Sequence, residues 1–237
     1  MKRHVKYIWC LPLMILLMAC DKEEDTNFPV DPLIVEYEFE ENPENWLGGF
    51  ADYPAGEEEF YELDFDYQTL PAPLDTTKGA LMISGNNHSD DLFMFIYRRV
   101  ENLFPNSEYD VTFDITLASN APDESFGVGG SPATSVYLKA GALNYKPFTE
   151  VGDQGYYWLN LDKGNQSQDG DNMMNLGNIA NGTDEFEYAL INRTNDTPFR
   201  FQTGPEGDAW IIIGTDSGFE ATTTLFYDRI KVTFERR

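Results

Sequence analysis

Cysteine is almost missing from this chain. The two that exist, Cys10 and Cys20, both lie within the first twenty residues, so nothing after them carries a thiol. That excludes disulfides, cysteine-built zinc sites and cysteine nucleophiles from the body of the protein. Histidine is nearly as scarce, since beyond His4 only His88 remains, and a zinc site there would have carboxylates alone for company. Positive charge is short as well: 16 basic residues face 41 acidic ones, for a formal net charge of −25. A polyanion is repelled by such a surface, which argues against nucleic acid and acidic polysaccharides and leaves neutral ligands and divalent cations. No stretch keeps a helical period, no repeat is visible, and no Gly-x-Ser-x-Gly elbow supports His88 as part of a hydrolytic triad. With so many acids, a glycosidase carboxylate pair has no distinguishing signature.

What is present begins with an export signal. Lys2, Arg3 and Lys6 precede roughly a dozen mostly apolar residues, too few to span a bilayer. The stretch ends in LMAC, which resembles a bacterial lipobox, with Leu17 and Ala19 in their places before Cys20. The resemblance implies removal of residues 1–19 and acylation of Cys20, palmitate included, as the new N-terminus. Each buried methylene contributes about 0.8 kcal/mol, so two or more chains anchor firmly. The following DKEED, residues 21–25, is similar to the acidic tag that sends lipoproteins of some polysaccharide-degrading Gram-negative bacteria to the outer face of the outer membrane. A solvated tether is the plainer reading of the same charges. Residues 20–32 read as an acidic tether and residues 33–237 as a single domain, with a membrane contact through the lipid anchor only.

Alternation with period two dominates that domain. In YDVTFDITLAS, Tyr109, Val111, Phe113, Ile115 and Leu117 share one face, and Asp110, Thr112, Asp114 and Thr116 the other, the pattern of a half-buried antiparallel strand. LIVEYEFE alternates likewise. Further strands are expected over 61–70, 79–84, 92–99, 135–140, 156–161, 186–191, 199–203, 209–214 and 222–235. Short strands separated by NPEN, GNN, FPNSE, SNAP, GVGG and TGPEG make an all-β antiparallel two-sheet sandwich or barrel. The run LFMFIY, residues 92–97, is apolar on both faces, so its strand should lie inside a sheet and be covered on its second side by loops or a ligand.

Three segments together resemble jelly-roll sandwiches of the galactose-binding-like type, a group rich in carbohydrate-binding modules. FEENPENWLGGF (39–50) is similar to their opening, LFPNSEYDVTFDI (103–115) to their middle and LFYDRIKVTF (225–234) to their last strand. Residues between Gly127 and Trp210 match nothing in that pattern. The resemblance implies a structural calcium ion held by the last-strand acid, here Asp228, which shares parity with Ile230, Val232 and Phe234 and so should point toward the core. Fold alone does not assign function.

Candidate sites follow from chemistry. NLDKGNQSQDGDN, 160–172, offers Asp162, Asn165, Asp169 and Asp171 as oxygen ligands for calcium, without the spacing of an EF-hand; a solvated loop is the alternative. Tyr156, Tyr157 and Trp158 just before it supply flat rings of the kind that stack on sugars, although core packing is the commoner fate of aromatics. Trp46 and Trp210 read as core. SGNNHSDD, 84–91, is the composition of a strand connection; otherwise it is a polar loop giving ligand or calcium contacts through Asn86, Asn87, Asp90 and Asp91, with His88 among the ligand contacts. The expected function is non-catalytic binding of a neutral polysaccharide or oligosaccharide by a surface lipoprotein, with calcium as cofactor. The alternatives are a lipoprotein that docks a surface protein partner, and a glycan hydrolase or esterase.

Overall fold

The structure, a computed structural model, describes residues 29–89 and 91–237. The signal, Cys20 and the run 21–25 lie outside the described residues, as does Asp90. Among the described residues there is no helix, and strands follow one another along the whole domain. In chain order they are β1 (Leu33–Tyr37), β2 (Leu47–Ala51), β3 (Asp64–Thr69), β4 (Gly79–Asn86), β5 (Leu92–Val100), β6 (Glu108–Ser119), β7 (Val136–Leu143), β8 (Thr149–Val151), β9 (Tyr157–Leu159), β10 (Met174–Asn178), β11 (Ala189–Thr194), β12 (Phe199–Gln202), β13 (Ala209–Ser217) and β14 (Thr222–Arg236).

Two antiparallel sheets face each other. The first runs β11–β6–β14–β4–β3, with β1 also on β14 and β12 also on β6; the second runs β10–β7–β13–β5–β2, and β8–β9 is a separate hairpin. β6 and β14 are long, 12 and 15 residues, so each takes two short neighbours end to end on its outer side. Chain connections from β4 through β7, and again from β10 to β14, pass back and forth between the sheets, which is jelly-roll connectivity. The protein is an all-β sandwich of this kind.

Period two places the main core. Tyr109, Val111, Phe113, Ile115 and Leu117 of β6 are fully buried, as are Ile230, Val232 and Phe234 of β14. Alternation breaks at one place in β14, where a bulge between Tyr227 and Arg229 inserts an extra residue. Tyr227 and Ile230 are therefore both fully buried while Asp228 between them is only half-buried. The expected core-facing carboxylate is corrected to a half-buried one at the bulge of an interior strand, between the stretches of β14 paired with β4 and with β1. Burial still raises its pKa, with Lys78 opposing and Glu40 adding to the rise.

The two-sided strand also has its explanation. Leu92, Met94 and Ile96 of β5 enter the main core, whereas Phe93 and Phe95 point outward into a second cluster with Ala51, Leu143, Met173 and Ile212. Its cover is made of chain: Leu159 and Leu161 pack on it from the β8–β9 hairpin and the 160–172 loop. Gly141 lets that loop come close, since a Cβ there would stand 2.0 Å from the Asn172 carbonyl oxygen. Gly141→Ala is expected to cost about 2 kcal/mol by overpacking, read as a melting temperature lower by about 6 °C.

β2, β8 and β10 were not expected as strands, and β11 starts later than the 186–191 reading. In β2 the paired glycines serve packing: a Cβ at Gly48 would fall 2.2 Å from Phe65 Cγ, and one at Gly49 2.5 Å from Phe95 Cζ. Trp46 is core, edge-on to Tyr37 with centroids 5.5 Å apart. Trp210 is not: it lies half-buried on the outer face beside Tyr97, with Lys146 Nζ 5.7 Å above its ring.

Candidate functional site

The second sheet's outer face carries the site, and the β8–β9 hairpin builds its rim. Asp52 N donates to Tyr157 O at 2.7 Å and Tyr157 N to Tyr53 O at 2.9 Å, so β9 extends the chain end of β2. Alternation then sorts three neighbours. Tyr157 turns inward onto Tyr53, centroids 5.0 Å apart, and Leu159 onto the second apolar cluster, while Trp158 turns out and stays 46% exposed. Gly152 lies under the indole, where a Cβ would come 2.4 Å from Trp158 Cδ1. Tyr156 is half-buried and bridges Pro54.

Beside Trp158 opens a cleft of about 280 Å³, lined by Asp52, Asp91, Leu161, Asp162, Lys163 and Asn165. Beneath it lies a buried charge cluster joining loop and sheet in both directions. Lys163, from the loop, reaches Asp216 Oδ2 of β13 at 2.8 Å and Asp52 Oδ2 at 3.1 Å. Lys139, fully buried on β7, donates upward to the loop carbonyls of Lys163 at 2.6 Å and Gln168 at 2.8 Å and lies 3.6 Å from Asp216. Gln166 N also donates to Asp216 Oδ2, at 2.9 Å. Two ammonium groups thus face two carboxylates away from water, and removing a lysine would strand buried negative charge.

The environment tunes each group. Burial pushes the Asp52 carboxyl up to about 6 against the opposing pull of Lys163. Burial lowers Lys139, and Asp216 only partly restores it. For Lys163 burial acts in the same sense, but Asp216 and Asp52 outweigh it and hold its pKa above the ordinary lysine value. Asp162, capped by the N–H groups of Asp171 and Gly164, is held below the usual carboxylate range.

Of the residues singled out in the sequence, Asp91, Trp158, Asp162 and Asn165 meet at this cleft. Asp169 instead accepts Asn175 N at 2.7 Å, and Asp171 faces a separate groove with Tyr145 and Arg200. The loop does not fit a divalent cation. Both Asp162 oxygens take backbone N–H bonds, the Lys139 ammonium holds the converging carbonyls, and among the described residues no three acidic or histidine side chains converge as metal ligands. Asn87 is buried with its amide hydrogens given to Ser217 O and Phe219 O, so its ligand role is corrected to a structural one. Asn86 ends β4, its N–H donated to Tyr61 O. His88 stacks on Phe60 at 4.0 Å with Nε2 3.1 Å from Phe60 O, which ties the connection down rather than aiming it at the cleft.

The sequence reading passed over Asp52, Lys163, Lys139 and Asp216. A signal existed for the last two: each is a lone charge in an otherwise apolar strand, VYLKAGAL and AWIIIGTDS, on the outward parity of adjacent strands.

No protein-family model matches the chain, and no curated protein does. Solved structures give distant likenesses. The enzymatically active domain of bacteriophage CBA120 tailspike protein 4 has a TM-score of 0.38 at 10% identity, over 84% of this chain and 20% of that one, so this chain spans about a fifth of it. The CBM22-1 xylan-binding domain of Paenibacillus barcinonensis Xyn10C has a TM-score of 0.40 at 11% identity, over 87% of this chain and 97% of that one. A putative sugar binding protein from Bacteroides thetaiotaomicron VPI-5482 has a TM-score of 0.40 at 11% identity, over 81% and 88%.

Proposed function

We propose that this protein captures a neutral glycan, without catalysis, in the cleft beside Trp158, and is held at the outer-membrane surface by a lipid on Cys20. The observation that carries the reading is a half-exposed indole at the edge of a polar cleft. Carbohydrate rings present apolar C–H faces to an aromatic plane, and the surrounding Asp52, Asp91, Asp162 and Asn165 offer acceptors to their hydroxyls. The acidic lining disfavours uronic acid polymers. Geometry is consistent with a tether: Leu33 pairs Phe234 near the end of β14, whereas Asp91 and Asp216 lie toward the opposite pole of the sandwich, so an anchored domain holds the cleft away from the membrane.

The test is a melting panel of soluble neutral polysaccharides, because a ligand at a hundredfold excess over Kd stabilises the native state by about 2.7 kcal/mol. Trp158→Ala is expected to weaken the glycan that gives the shift by about tenfold or more, about 1.4 kcal/mol, with little change in the melting temperature of the free protein. Unchanged retention by the variant rejects Trp158 as the platform. A second reading, docking of a surface protein partner, is favoured by Phe126, Val128 and Phe186, exposed at 97%, 67% and 70%. These lie on the β6–β7 and β10–β11 connections at the pole away from the tether. No shift across the whole panel would turn the assignment toward that reading.

A further inference from the structure

Asp52 is an unexpected floor for a binding cleft. It is 5% exposed, and its Oδ2 sits 3.1 Å from the Lys163 ammonium without a well-aligned hydrogen bond among the described residues. A buried carboxylate short of donors is poorly stabilised in its charged form, and groups that donate to it favour ionisation. A sugar entering the cleft brings hydroxyl donors. We propose that Asp52 is a ligand-contacting residue of this cleft and that capture of a hydroxyl-rich neutral glycan there requires Asp52 ionised, so that binding draws off the proton wherever it is still held. The inference deepens the glycan reading and rests on it.

The charged neighbours of Asp52 come from every element packed around it. The loop contributes Lys163, whose ammonium favours the ionised carboxylate, and Asp162 further along the cleft. β13 and β7 contribute Asp216 and, behind it, Lys139. The β4–β5 connection contributes Asp91, whose charge opposes ionisation, as does that of Asp216. Burial outweighs the Lys163 attraction, and Asp52 takes up its proton at about pH 6. Protonated Asp52 still accepts, but it has lost the charge that makes its bonds to hydroxyls strong. Linkage is reciprocal: if the ligand prefers the ionised form, binding near pH 6 releases a proton.

The experiment titrates the full domain with xylohexaose, cellohexaose, mannohexaose and laminarihexaose by calorimetry at pH 5.0 and 7.5. If only ionised protein binds, the competent fraction at pH 5.0 is about one in eleven, so the hexasaccharide that binds should do so about tenfold more weakly there than at pH 7.5. At pH 6.0, repeating the titration in two buffers of different ionisation enthalpy should reveal proton release. Asp52→Asn should bind weakly and equally at both pH values while melting cooperatively. Equal wild-type affinity at pH 5.0 and 7.5, or a pH dependence that survives in Asp52→Asn, overturns this inference and leaves the glycan reading standing. No binding of any hexasaccharide at either pH overturns both.

Discussion

Asp52→Asn is expected to make the free protein more stable by about 3 kcal/mol at pH 8 and by only about 1 kcal/mol at pH 4.5. The figure follows from the gap between a carboxyl titrating at about 6 in the folded protein and at 3.8 in a solvated chain, at about 1.4 kcal/mol for each tenfold. Between those two values the folded protein holds a proton that the unfolded chain has released, so folding takes up a proton. The Asp52 contribution therefore becomes steadily less favourable as pH rises from about 3.8 to about 6, is fully unfavourable above pH 7, and fades out below 3.8. Asparagine mimics the protonated acid at all pH values, so the variant should lack that part of the pH dependence. Guanidinium melts of both proteins at pH 4.5, 6 and 8 read the difference directly. A variant less stable than wild type at pH 8 would mean that the Lys163 pair is worth more than the burial it demands. A stabilising substitution at a cleft residue is also what a site kept for binding rather than stability should show.

The fold was readable where side chains alternate and unreadable where backbone geometry intervenes. YDVTFDITLAS declared both its faces, and the structure buries the residues that parity selected. The bulge at Asp228 leaves no mark in a pattern of apolar and polar letters, so parity carried across it misplaced the carboxylate. LGGFA gave the opposite error. The expected strands leave it out, yet here its two glycines are strand residues whose missing side chains admit the rings of Phe65 and Phe95. The site divides in the same way. Composition marked the aromatic run and the 160–172 loop, and the structure brings Trp158, Asp162 and Asn165 to one cleft. Asp52 and Lys163 are separated by more than a hundred residues, and only tertiary pairing makes partners of them. Lys139 and Asp216 are the instructive pair, since a single charge in an apolar strand has to be answered from somewhere nearby.

That requirement gives the other large effect. Lys139→Met fills a similar volume but removes the ammonium that holds the carbonyls of Lys163 and Gln168 and helps neutralise Asp216. Asp216 Oδ1 already lacks a hydrogen-bond partner among the described residues, so the substitution leaves a fully buried carboxylate still less compensated and two loop carbonyls without their donor. Breaking a buried pair from one side costs about 3–5 kcal/mol, which for a domain of this size lowers the melting temperature by about 10 °C. Replacing Asp216 by Asn in the same chain removes the stranded charge, so the double variant should lose less than the two single variants added together. A loss below about 1 kcal/mol for Lys139→Met, or strict additivity in the double variant, would mean that water enters beneath the loop and does the work assigned to the ammonium. The expected outcome makes the loop that walls the cleft a clamped part of the sandwich, so that Trp158 and Asp162 are set in place before any ligand arrives.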